Sequence, residues 1–227
     1  MKNIFVKGIL IFSVLLMLLG ITSLGQSSVS ANSLDIHENV LSEDITVNEE
    51  VNNDEGLITP FAEIGPTYPG TNFAMRVGDV LYSTKALGGS SAIVGHTGIV
   101  NSDFKVVHVT LPVNGGTIDN MTGYMYRHGE GETIKVYRPR DGMGVNAAKW
   151  ATYNYSYVKE YLIQIASTLG SISPNYCSKF VWQAFYFGEG TDILNKNLNA
   201  NTLGFVTPGN ITDSPYLSYQ ISFKVIR

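Results

Sequence analysis

Cys177 is the only cysteine in the 227-residue chain. It stands in "SPNYCSKFVWQAFY", Ser173 to Tyr186, where a polar loop gives way to an aromatic-rich run. One cysteine cannot close a disulfide within its own chain, so it is buried filler, a partner for another molecule's thiol, or a reagent. Pro174 disfavours helix at the residue before it, so a helix is expected to begin near Cys177. At that point unpaired backbone N–H groups and the positive end of the macrodipole favour a thiolate and supply donors for an oxyanion. The position therefore predicts a lowered thiol pKa. The competing use is inert burial, which is common for free cysteine.

The chain has four histidines. His37 lies in an acidic stretch and His128 in the loop-like "YRHGEGE"; both read as solvated. His96 and His108 fall on two β-branched runs, "IVGHTGIV" and "KVVHVT", around the turn-forming "NSD", which is a hairpin signal. A loop of Asn101, Ser102 and Asp103 sets His96 directly opposite His108, with Cβ atoms about 4.5–5.5 Å apart on one face. A shorter loop, by one residue, would send the two rings to different faces. On one face they complete a nucleophile, base and orienter: Cys177 gives its proton to His96, and His108 holds that imidazole in tautomer and direction. Imidazole suits the base role because its ordinary pKa lies near the operating pH. A strand histidine taken alone is more often a satisfied, half-buried residue. Zinc is a second competitor for one Cys and two His, but no CxxC pair or His-x-x-x-His spacing supports it. The thiol chemistry requires no metal and no organic cofactor.

The elements around these residues alternate in type. "VGDVLYS" (Val77 to Ser83) and "ETIKVYRP" (Glu132 to Pro139) read as strands, and "LSYQISFKVI" (Leu217 to Ile226) alternates as a strand does. "GVNAAKWATYNY" (Gly144 to Tyr155) has an Asn cap candidate and helical spacing, and Val158 to Leu169 also reads as helix. In "CSKFVWQAFYF", Phe180, Val181, Ala184 and Phe187 recur at helical spacing. The expected fold class is α+β, with antiparallel strands forming a sheet or small barrel packed against helices.

Lys2 and Lys7 precede the apolar run Gly8 to Gly25, and "SVSA" ends at Ala31, the pattern of a signal peptide over residues 1–31. Residues 32–59 carry eight acids, no Lys or Arg and no aromatic residue, which reads as a solvated linker or pro-segment. The body, residues 60–227, then keeps 13 basic and 11 acidic residues of a chain whose net charge is −4. A body so close to neutral has no basic footprint for nucleic acid. Export to the extracellular side is expected, with membrane contact only through the leader if it stays uncleaved.

"GDVLYSTKALGGSSAIVGHTGIV", "KVVHVT" and "NYCSKFVWQAFY" together resemble the circularly permuted papain-fold cysteine hydrolases. The likeness is to the YiiX/YebB-like branch, related to the NlpC cell-wall peptidases and more distantly to lecithin:retinol acyltransferase. "FVTPGNITDSPYL" (Phe205 to Leu217) adds to it. The histidines precede the cysteine, as in the permuted order. The resemblance implies a permuted papain-like (NlpC-type) fold, with Cys177 as nucleophile, His96 as base and His108 as third polar residue. Asp79 matches the family's "GD" strand start, where it reads as a turn and strand-end device more than a catalytic group, and Tyr176 is placed to line a cleft; these two are the expected substrate-side positions. It further implies a secreted cysteine peptidase or amidase acting through a thioester on a peptide or cell-wall substrate. A lipid-directed amidase or acyltransferase on the same fold, and an inactive binding domain, are the alternatives.

Overall fold

The computed structural model describes residues 64–85 and 95–226. The expected signal peptide, the acidic segment and most of the Gly-rich stretch before His96 lie outside the described residues. Among the described residues no helix is long and apolar enough to cross a membrane.

Among the described residues six strands form one antiparallel sheet. They are β3 (Val80–Ser83), β4 (His96–Val100), β5 (Val106–Thr110), β6 (Gly115–Asp119), β7 (Thr133–Pro139) and β8 (Leu217–Lys224), in the order β6-β5-β4-β3-β7-β8. A separate hairpin pairs β1 (Ile64–Thr67) with β2 (Ala74–Arg76). The helices are α1 (Met121–Tyr126), α2 (Val145–Asn154), α3 (Cys177–Glu189) and α4 (Pro208–Thr212). This is the expected α+β arrangement, with the histidine strands before the cysteine helix. Because side chains alternate across a strand, the sheet has two apolar faces. Val80, Ile99, Val107 and Val109 join the core of α2 and α3, including Phe180, Val181 and Trp182. Leu81, Val100, Val106, Ile134 and Val136 pack with Tyr68, Met75 and Tyr124 on the other face.

The cysteine helix is tied down along its length. Ser178 Oγ donates to Val206 O at 2.7 Å, and Gln183 Nε2 donates to Leu169 O at 2.6 Å. At its far end Glu189 accepts from the N–H groups of Gly144, Asn146 and Ala147 at 2.7–3.1 Å. That carboxylate, rather than the Asn side chain expected from the sequence, satisfies the open start of α2.

The segment read as a helix from Val158 to Leu169 is instead irregular. Its backbone bonds outward: Tyr161 N–H to Asn114 Oδ1, Leu162 N–H to Asn175 O, and Leu169 N–H to Thr202 O. These long-range partners replace the local ladder a helix would need, so tertiary context overrides propensity.

Asp79 is buried at the start of β3. Its carboxylate accepts from Tyr68 Oη at 2.8 Å, from Arg76 N–H at 2.9 Å and from two Arg138 nitrogens at 2.8 Å each. With its acceptor sites so occupied, it anchors the scaffold and leaves nothing for a substrate. Removing one partner of a buried pair strands the other charge, so Asp79→Ala is expected to lower stability by about 3–5 kcal/mol. Urea denaturation checks this; a midpoint equal to wild type would contradict the anchoring role.

Candidate active site

His96 opens β4 and His108 lies in β5, but the hairpin register differs from expectation. The ladder pairs Ile99 with Val107 and Val100 with Val106, so the loop is two residues longer than expected. Asn101 closes it, accepting through Oδ1 from the N–H groups of Asp103 and Lys105. A two-residue shift preserves the face of every side chain. His96 and His108 therefore become diagonal neighbours, and His96 Nε2 lies 2.7 Å from His108 Nδ1. Gly98 permits this approach: a Cβ there would meet Val106 Cγ1 at 2.6 Å and His108 Cβ at 3.2 Å.

The histidine pair continues into a carboxylate. His108 Nε2 is 2.8 Å from Asp119 Oδ2, and Asp119 is gripped by Arg127 through both Nε and Nη2. Burial opposes the charge on Asp119, but hydrogen bonds from His108 and Arg127 outweigh it and hold the carboxyl well below its usual range. Burial lowers both His96 and His108, and for His96 the neighbouring His108, His128 and Arg127 lower it further. The imidazoles are thus neutral and the carboxylate ionised. An ionised carboxylate only accepts, so His108 carries its proton on Nε2 and accepts on Nδ1. His96 must then donate from Nε2, which leaves Nδ1 as a bare lone pair. Among the described residues that nitrogen has no hydrogen-bond partner, the Cys177 sulfur included. It has the electronic form of a general base.

Cys177 is the first residue of α3 and is 2% exposed. The ladder between β4 and β5 comprises only two residue pairs. Beyond it Thr97, the neighbour of His96, lies beside the sulfur with its backbone N–H, as Ser178 does from the helix side. Burial pushes the thiol up, and these donors oppose it only in part. The expected lowering of the cysteine pKa is therefore reversed: the helix start is present, but desolvation of the sulfur dominates.

Two further residues close the site. Tyr124 from α1 packs against His108 with ring centroids 5.1 Å apart and against His96 at 6.0 Å. His128, expected in solvent, is fully buried, with Nδ1 donating to Tyr124 O at 2.8 Å and its ring 5.8 Å from His96. Burial brings it down to about 4. Neither motif nor spacing in the sequence singles out Asp119, Arg127 or Tyr124. The "VNGG" turn signal before β6 would have placed Asp119 two residues beyond Thr117, the partner of His108. Tyr176 is 1% exposed, its hydroxyl accepts from Val206 N–H at 3.1 Å, and its ring packs on Phe205. It supports the helix start and does not line a cleft. Among the described residues no group of three or more His, Cys, Asp or Glu is arranged to hold a metal ion.

A lone cysteine at a helix start, beside a strand that carries a carboxylate-anchored imidazole chain, defines a candidate cysteine-nucleophile site. The chain belongs to the LnsA-like lipoprotein N-acylation family, whose model matches residues 46–224. It is 30% identical over 176 residues to an uncharacterized 30.3 kDa protein of Bacillus thuringiensis, across 74% of this chain. The chain spans 63% of the length of that relative. Among solved structures, the metalloprotein yiiX of Escherichia coli O157:H7 is similar at a TM-score of 0.48 and 16% identity, over 65% of this chain and 97% of that one. The family shown is a lipoprotein-acylation family, and it gives no support to the NlpC cell-wall peptidases in particular.

The buried neutral histidines make stability pH-dependent. Their folded pKa values lie below the unfolded value, so the unfolded chain binds more protons as pH falls. Stability is expected to be full above about pH 6.5 and to decline toward pH 4, the window set by His128 falling from 6.5 to about 4. Urea midpoints measured across that range check it; a flat profile would contradict the neutral cluster.

Proposed function

We propose that this protein is a cysteine acyltransferase that moves a lipid acyl chain through a Cys177 thioester onto the amine of a lipoprotein. The observation that carries this reading is the bare Nδ1 of His96, with its other nitrogen engaged by His108, one residue from the threonine that touches the sulfur. Family membership supplies the acyl-transfer direction.

The resting site holds a neutral thiol and a neutral imidazole, so the proton moves during attack rather than beforehand. His96 Nδ1 takes the Cys177 proton as sulfur adds to the acyl ester carbonyl. The tetrahedral intermediate collapses, the ester C–O bond breaks, and the leaving alkoxide takes that proton from His96. An incoming amine then attacks the thioester, His96 accepts its proton, and the thiolate leaves and is reprotonated. His108 and Asp119 stabilise the imidazolium formed at each stage. Water in place of the amine would give hydrolysis.

Apolar surface near the site favours a lipid over a cell-wall peptide. Leu111 and Val113, on the turn that leaves β5, are exposed. So are Leu162, whose N–H bonds Asn175 O just before the nucleophile, and Ile165 and Leu203 on the adjoining loops. Export past the membrane, expected from the first 31 residues, would bring such a surface to lipid-anchored proteins.

The test is to incubate the protein with diacyl phospholipid vesicles and a diacylated lipopeptide, and in parallel with cell-wall muropeptides, following both by mass spectrometry. Expected are an acyl mass on Cys177, released by hydroxylamine, and an N-acylated lipopeptide. Cys177→Ala abolishes both, and His96→Ala slows acylation by about 10²–10⁴-fold. Muropeptide cleavage with no acyl adduct would overturn the acyl-transfer reading.

A further inference from the structure

Tyr124 is fully buried, and its hydroxyl has no hydrogen-bond partner among the described residues. A buried hydroxyl is ordinarily paired, and a native exception calls for an explanation. The packing shows where the group sits. Its ring lies 4.7 Å from His128, 5.1 Å from His108 and 6.0 Å from His96, so one face of the site is built around it. Asn120 fixes the helix that carries it, accepting from Gly123 N–H at 2.7 Å. The phenol also lies within electrostatic reach of Cys177: after burial, the cysteine is the foremost group that would oppose its ionisation, ahead of Asp119. Tyr124 therefore stays a neutral O–H donor. A second orphan, the Thr97 hydroxyl, lies against the same sulfur.

We infer that Tyr124 is a catalytic residue of this site, its hydroxyl donating a hydrogen bond to the oxyanion formed when Cys177 adds to the acyl carbonyl. No bond of the phenol breaks; the O–H is held without a partner until negative charge develops beside it. A donor fixed in advance and dry is worth far more to the transition state than one shared with water. The N–H of Cys177 at the helix start, and the Thr97 hydroxyl, are the neighbouring donors. This inference rests on the acyl-transfer reading above.

The test uses the full chain with p-nitrophenyl octanoate, reading the rate of Cys177 acylation, KM and Tm for wild type and Tyr124→Phe. The expected result is an acylation rate lower by about 10²–10³-fold, KM little changed, and a Tm equal to or above wild type, because only an unsatisfied hydroxyl is lost. A rate within about threefold of wild type overturns the role of Tyr124 and leaves the acyl-transfer reading standing. A rate loss with a lowered Tm assigns Tyr124 to the scaffold and also overturns the inference. Failure of wild type to acylate at all overturns both.

Discussion

The ionised carboxylate of Asp119 is the fixed point on which the site depends. Arg127 holds it from one side and His108 bonds it from the other. Since a carboxylate can only accept, each proton along the chain is placed in turn, ending in an open lone pair on His96. Remove the charge and either imidazole could flip its tautomer, leaving a proton where the base must be empty. The chain depends on close packing as much as on charge. Gly98 brings β5 near enough for the two rings to meet at 2.7 Å.

The sulfur is delivered by a different set of constraints. The helix that begins at Cys177 packs with the apolar face of the sheet formed by Val80, Ile99, Val107 and Val109, while the histidines share the face of Val100 and Val106. The thiol reaches β4 where its ladder with β5 ends, at Thr97. Ser178, Gln183 and Tyr176 lock the helix start to the segments around it, and Glu189 binds its far end to α2. Burial raises the thiol and lowers the imidazoles, so the nucleophile and the two histidines wait uncharged. The acyl substrate proposed above would meet no charged nucleophile or base that has to be desolvated on its entry.

Much of this was legible in the chain. Strand alternation and helical spacing located β4, β5, β7, β8, α2 and α3, and the single cysteine and spaced histidines marked the site. The register was wrong by two residues because Asn101 and Phe104 close a longer loop, with Phe104 in the left-handed region. The histidines still met, since an even shift keeps the face. His128 looked solvated because local polarity says nothing of a short helix folding it back under the sheet. The thiol's direction of shift was also missed, since a helix start can be seen in sequence but the depth at which a sulfur lies cannot. Residues 158–169 carried a helical pattern that distant backbone partners overrode. Asp119, the anchor, ends a strand that opens on two glycines and has little apolar alternation.

The most direct measurement is nitrogen NMR of isotope-labelled histidine in the wild-type protein, above the titration of ordinary histidine, with long-range couplings assigning the protonated nitrogen of each ring. The account predicts that His96 and His108 both carry the proton on Nε2, leaving His96 Nδ1 bare. A His96 ring protonated on Nδ1 would contradict it, because the proton order set by Asp119 would then fail to leave an open lone pair on His96.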